Sequence, residues 1–136
     1  MGRRCCDLPA NLGGGICGEI VAVGDGADPA RIGERVIADN CLRDPADPLN
    51  KERTGYYGSE HDGGFAEYAT IPATNALPVD SSLCDAELAT FSCSYSTAEG
   101  MLTRAAVTTG DTVLVPGASG GVGGMVARRS AQIARG

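Results

Sequence analysis

The sequence contains no tryptophan and few other aromatic residues, with two phenylalanines and four tyrosines among 136 residues. Aliphatic side chains must therefore fill any hydrophobic core. No run of 18 consecutive apolar residues occurs, so the hydropathy predicts no membrane-spanning helix. Basic residues are scarce, because 11 Lys and Arg against 17 Asp and Glu give a net charge of −6. This charge repels phosphate backbones and anionic lipid headgroups, which disfavours nucleic acids and membrane surfaces as partners.

The patterns of secreted and disulfide-bonded proteins are also missing. Residues 1–10 contain no apolar segment typical of a secretory signal. The six cysteines show no C-x-x-C spacing. We therefore expect a cytoplasmic location and free thiols. The cysteines are Cys5, Cys6, Cys17, Cys41, Cys84 and Cys93.

Glycine is the residue in excess, with 20 among 136 residues. This is about twice the average usage of roughly 7% and indicates many tight turns and close backbone approaches. The hydrophobic fraction of 43% is not that of a disordered chain. The length is typical of about one domain.

The first part of the chain has the patterns of a β-rich domain. Residues 16–23, the segment around Val36 and Ile37, and residues 65–71 are predicted to be strands. A polar segment, residues 40–64, separates the last two. A connection of that length in a compact domain is usually functional or mobile.

From about residue 82 the pattern becomes α/β. Ser82 with Asp85 fits a capping box before a short helix, CDAELATF. Ser96 with Glu99 fits a second capping box, which opens STAEGMLTRAAV. A strand is predicted at 112–115, followed by the glycine loop GASGGVGG and a further helix. One such βα unit cannot bury both faces of a parallel sheet, so the chain looks like a piece of something larger.

The glycine loop has the order of residues that a pyrophosphate site requires. Gly117 permits a tight turn out of the strand, Gly120 leaves room for a pyrophosphate, and Gly123 allows close packing of the helix. The helix N-terminus then offers free N–H groups and a positive dipole end. The alternative is an ordinary glycine-rich turn. The predicted cofactor-binding residues are Gly117, Ser119, Gly120, Gly121, Val122 and Gly123.

Four stretches together resemble a known family. They are GEIVAVGDGADPARIGERV, DGGFAEYATIPA, CSYSTAEGML and GDTVLVPGASGGVG, in that order along the chain. The chain resembles a central segment of a medium-chain dehydrogenase/reductase, the family of zinc alcohol dehydrogenases and quinone oxidoreductases. The resemblance implies a mixed β and α/β fold. Residues 1–92 would be a partial GroES-like catalytic domain, and residues 93–136 would be the first βα unit of a Rossmann domain.

The resemblance also argues against catalytic zinc. Members that use zinc hold it with two cysteines and one histidine, and only Cys93 stands at a ligand position. Gly14 replaces the histidine, Gly15 replaces the glutamate beside it, and the other cysteine position lies before Met1. The stretch for a structural zinc contains only Cys41 of the four cysteines it would need.

Two alternatives to a zinc-free protein stay open. One is an atypical metal site built from His61, Cys93 and either Cys17 or Cys41. The other is a zinc alcohol dehydrogenase proper, despite the glycine at position 14. Against the first, a lone histidine without ligand spacing is usually an exposed loop residue.

The implied activity is hydride transfer between NAD or NADP and a small alcohol, aldehyde, ketone or quinone. Thr97 is expected near the nicotinamide by the resemblance, and Tyr57 is a candidate hydrogen-bond donor to a carbonyl oxygen. The residue that distinguishes NAD from NADP would follow Gly136. The alternative is a non-catalytic relic that is stable only through self-association or a partner chain. A homo-oligomer is expected, because unpaired strand edges favour pairing.

Overall fold

The computed structural model describes residues 11–48, 50, 52 and 54–135. The chain divides into two compact units, Met1–Ser92 and Cys93–Gly136. The expectations for the segment before residue 11, including free thiols at Cys5 and Cys6, lie outside the described residues. The four cysteines that are described are free thiols, as predicted: Cys17, Cys41, Cys84 and Cys93.

The first unit contains two small antiparallel sheets and one helix. Its elements are β1 (Cys17–Glu19), β2 (Arg35–Ala38), β3 (Cys41–Leu42), β4 (Gly55–Tyr56), β5 (Ala76–Pro78) and helix α1 (Asp85–Ala89). The larger sheet has the order β1-β2-β5, and β3 pairs with β4. Val36, at the centre of β2, is paired with Gly18 on one side and Pro78 on the other.

The strand at Val36 and Ile37 is confirmed, whereas two others differ from the prediction. Strand β1 is shorter than the predicted strand, residues 16–23. Its pairing with β2 ends at Ile20, whose carbonyl accepts the amide of Gly33, and Gly33 has a φ of +89° that turns the chain away. The strand predicted at 65–71 is wrong. Past Phe65, whose amide donates to Leu12, no backbone–backbone hydrogen bond joins this segment to a described residue.

The core of the first unit is small and mostly aliphatic, as the scarcity of aromatic residues requires. Val36 and Ala38 alternate along β2 and are buried, together with Ala76 on β5 and Leu88 on α1. Tyr57 is the one large aromatic side chain buried among the described residues.

Arg35 fixes the start of α1 by binding several oxygen atoms at once. Its guanidinium donates to Asp85 at 2.6 and 2.8 Å, to the Ser81 carbonyl at 2.8 Å and to the Leu83 carbonyl at 2.7 Å. The predicted capping box at Ser82 is wrong because Arg35 engages Asp85. The helix is capped instead by Cys84, whose amide donates to Glu87 Oε2 at 2.9 Å.

The second unit is built on two helices, α2 (Ser96–Arg104) and α3 (Gly121–Ile133). A π-helical turn, Phe91–Tyr95, leads directly into α2. The helix predicted after the glycine loop is confirmed. The core cluster of the second unit joins Ala98 and Leu102 of α2 to Val126 of α3.

The predicted capping box at Ser96 and Glu99 is wrong. Tyr95 already has helical angles, so the chain enters α2 from the preceding turn without a side-chain cap. Ser96 donates instead to the Cys93 carbonyl, and Glu99 accepts from Arg129 at 2.8 Å.

The strand predicted at 112–115 is also wrong, because the segment is not hydrogen-bonded as a strand. Its side chains still alternate between the core and the solvent. Val113 and Val115 pack against the core cluster, while Leu114 is 89% exposed. A strand forms by pairing, and none of the described residues pairs with this segment.

Candidate functional site

The glycine loop enters α3 through a tight turn. Gly117 has a φ of +72°, which side chains other than glycine rarely adopt, and its carbonyl accepts the amide of Gly120 at 3.0 Å. Gly120 is extended and caps α3, and its carbonyl accepts the amide of Gly124 at 2.8 Å. The amides in the first turn of α3 have no carbonyl one turn earlier within the helix, as at every helix start.

At two glycines of this helix start another atom lies close to the point where a side chain would begin. A Cβ atom on Gly123 would contact the carbonyl oxygen of Gly117. A Cβ atom on Gly121 would lie 2.7 Å from Ser94 Oγ. Gly120 is less constrained, since its nearest neighbour would lie at 3.5 Å.

The donor chemistry of this loop fits a pyrophosphate. Glycines expose main-chain N–H groups without side chains in front of them, and the 13-residue helix α3 adds its positive dipole end. Ser119 is exposed and Val122 is half-buried in the same turn. Sequence reasoning missed Ser94, although it lies in the same CSYST stretch as Cys93 and Thr97.

The two catalytic candidates lie in different units. Thr97 is exposed in the first turn of α2. Tyr57 is only 6% exposed, its hydroxyl donates to the Thr70 carbonyl at 3.4 Å, and burial raises its pKa. It lines a cavity of about 910 Å³ with His61 and Tyr68. A buried hydroxyl that already has an acceptor is poorly placed to donate to a substrate.

The positions of the family's metal ligands do not form a donor set. Gly14 has no side chain, and a Cβ atom there would lie 3.3 Å from the Tyr57 carbonyl and 3.4 Å from Asn40 Nδ2. At position 15 a Cβ atom would contact the Ala89 carbonyl oxygen, so the helix α1 backbone leaves no space for a glutamate.

Other thiols and carboxylates do not replace these ligands. Within residues 11–48, 50, 52 and 54–135, no group of three or more His, Cys, Asp and Glu side chains could hold a metal ion. The atypical site with His61 therefore does not form in this part of the chain. The described residues therefore do not fit a zinc ion.

No described helix has both the length and the apolar character needed to cross a membrane.

Residues 2–81 match the alcohol dehydrogenase GroES-like domain family. Among curated proteins, the chain is 34% identical to L-galactonate-5-dehydrogenase of Escherichia coli K12, over 81% of this chain and 34% of the relative. Among solved structures it resembles a candidate alcohol dehydrogenase of Sinorhizobium meliloti 1021, with 48% identity, a TM-score of 0.80, and coverage of 91% of this chain and 34% of the other.

A second solved structure is an alcohol dehydrogenase (rspB) of Escherichia coli CFT073 in complex with NADH. The identity is 31% and the TM-score 0.77, over 86% of this chain and 36% of the other. The chain thus spans about a third of the length of these relatives. The matched domain, the relatives and the shared fold lead to one conclusion: the chain belongs to the medium-chain dehydrogenase/reductase family of alcohol dehydrogenases.

Proposed function

We propose that this chain is the segment of an NAD(P)-dependent oxidoreductase that binds the pyrophosphate of the cofactor and works without catalytic zinc. The observation that carries the proposal is the start of α3, where Gly117, Gly121 and Gly123 keep side chains away from the first amides of the helix. The NADH complex of a relative supports a nicotinamide cofactor. Substrates would be small alcohols, aldehydes, ketones or quinones.

Within this proposal, residues 1–92 form a partial GroES-like catalytic domain, and residues 93–136 begin a Rossmann domain. The first amides of α3, from Gly121 to Gly123, donate to the pyrophosphate oxygens, with Ser119 at the same turn. When bound, a reduced nicotinamide supplies a hydride to the substrate's carbonyl carbon, and the oxygen takes a proton from water. Thr97 lies near the nicotinamide in this proposal, and Tyr57 keeps a structural role. The protein acts in the cytoplasm.

The test is calorimetric titration of the purified 136-residue chain with NADPH and then with NADH. We expect saturable binding, and the tighter nucleotide gives the cofactor preference. The variant Gly123→Ala should abolish binding because its Cβ would contact the Gly117 carbonyl. The matched control is Gly100→Ala, where a Cβ meets nothing within 4 Å. A folded chain that binds neither nucleotide, or equal binding by both variants, would contradict the proposal.

A second candidate is a non-catalytic chain stabilised by self-association. Two β-patterned segments that pair with no described residue favour it, residues 66–71 and 112–115, together with the exposed Leu114. It predicts that the particle mass measured by light scattering corresponds to more than one copy of the chain across a dilution series. A well-folded monomer at every concentration would rule it out.

A further inference from the structure

We draw no further inference here: the strongest candidate, the cavity of about 910 Å³ in the first unit that Tyr57, His61 and Tyr68 line, carries nothing because nothing among the described residues shows what covers or occupies it.

Discussion

Ser94 Oγ lies 2.7 Å from the point that a Cβ atom on Gly121 would occupy. Ser94 belongs to the π-helical turn before α2, and Gly121 is the first residue of α3. A side chain at the start of α3 would therefore displace the hydroxyl of a residue 27 positions earlier in the chain. This proximity also places a hydroxyl beside the amides that are proposed to bind pyrophosphate.

This relationship predicts that the effect of a methyl group at position 121 depends on residue 94. Gly121→Ala alone should weaken NADH binding several-fold, because Ser94 must move toward the loop to make room. The double variant Ser94→Ala/Gly121→Ala lacks the hydroxyl that obstructs the methyl group. Replacing glycine by alanine in the helix should then raise the free energy of unfolding by about 0.5–1 kcal/mol. Calorimetry and urea unfolding of the four proteins in the cycle measure both effects. A double variant as impaired as the single one would refute the coupling.

A methyl group at Gly15 should destabilise the first unit. Its Cβ would contact the Ala89 carbonyl, a backbone atom that cannot rotate away, so α1 would have to shift. Overpacking of this kind typically costs about 1–3 kcal/mol. The control is Gly18→Ala in β1, where a Cβ meets nothing within 4 Å and alanine should stabilise by roughly 0.5–1 kcal/mol. Urea unfolding of both variants should give opposite signs, and equal effects would disprove the argument.

The ion pair between Arg35 and Asp85 predicts a loss of stability in acid. The Arg35 guanidinium, with a smaller contribution from the Cys17 thiol, holds the pKa of Asp85 below its ordinary value of 3.8. Because the pKa is lower in the folded chain, this stabilisation is present above about pH 3.8 and is lost as the pH falls through the lowered pKa.

The variant Asp85→Asn should therefore be less stable at neutral pH and should show a shallower decline of unfolding free energy below pH 4. The control is Asp80→Asn, because Asp80 is exposed and makes no hydrogen bond or ion pair with a described residue. The free energy of unfolding is measured in urea between pH 2.5 and 7. This range brackets the ordinary pKa of aspartate, roughly 3.9. Parallel curves for Asp85→Asn and the wild type would show that the pair contributes nothing.

Leu114 and Val115 are neighbours with opposite environments, and their variants should differ accordingly. Leu114→Ser should change the unfolding free energy by less than about 0.5 kcal/mol, because the side chain is 89% exposed. Val115→Ala should cost about 1 kcal/mol because Val115 packs against the α2–α3 core. If Leu114→Ser proved the more costly change and also reduced the particle mass, a second copy would cover this face. That result would favour the self-associating chain.

The sequence predicts those elements whose signals are local. Strand β2 and helix α3 follow from alternation and from helical spacing after the glycine loop. The segments 65–71 and 112–115 have equally good strand patterns, yet a strand also requires a neighbour to bond with, and a pattern contains no information about that neighbour. Both capping boxes failed because the helices begin elsewhere: Cys84 caps α1, and α2 continues from a helical turn. The carboxylates on which those boxes relied bind distant arginines, Arg35 and Arg129, instead.

The candidate site shows the same division. The glycines of the loop are contiguous in sequence, so their order alone indicated a phosphate-binding turn. Ser94 beside Gly121 and Asn40 beside Gly14 are brought together from 27 and 26 positions apart, and no spacing rule connects them. Folding supplies these neighbours, which is why the sequence did not indicate either contact.

The approach of the Ala89 carbonyl to Gly15 has an evolutionary consequence. Substitution to histidine at position 14 would supply one ligand, but glutamate at position 15 requires a prior displacement of α1. The two substitutions are therefore epistatic, because the packing of a helix decides which of them can be accepted first. The steric fit of one main-chain oxygen makes the histidine–glutamate pair of zinc-dependent relatives accessible only after the helix has moved.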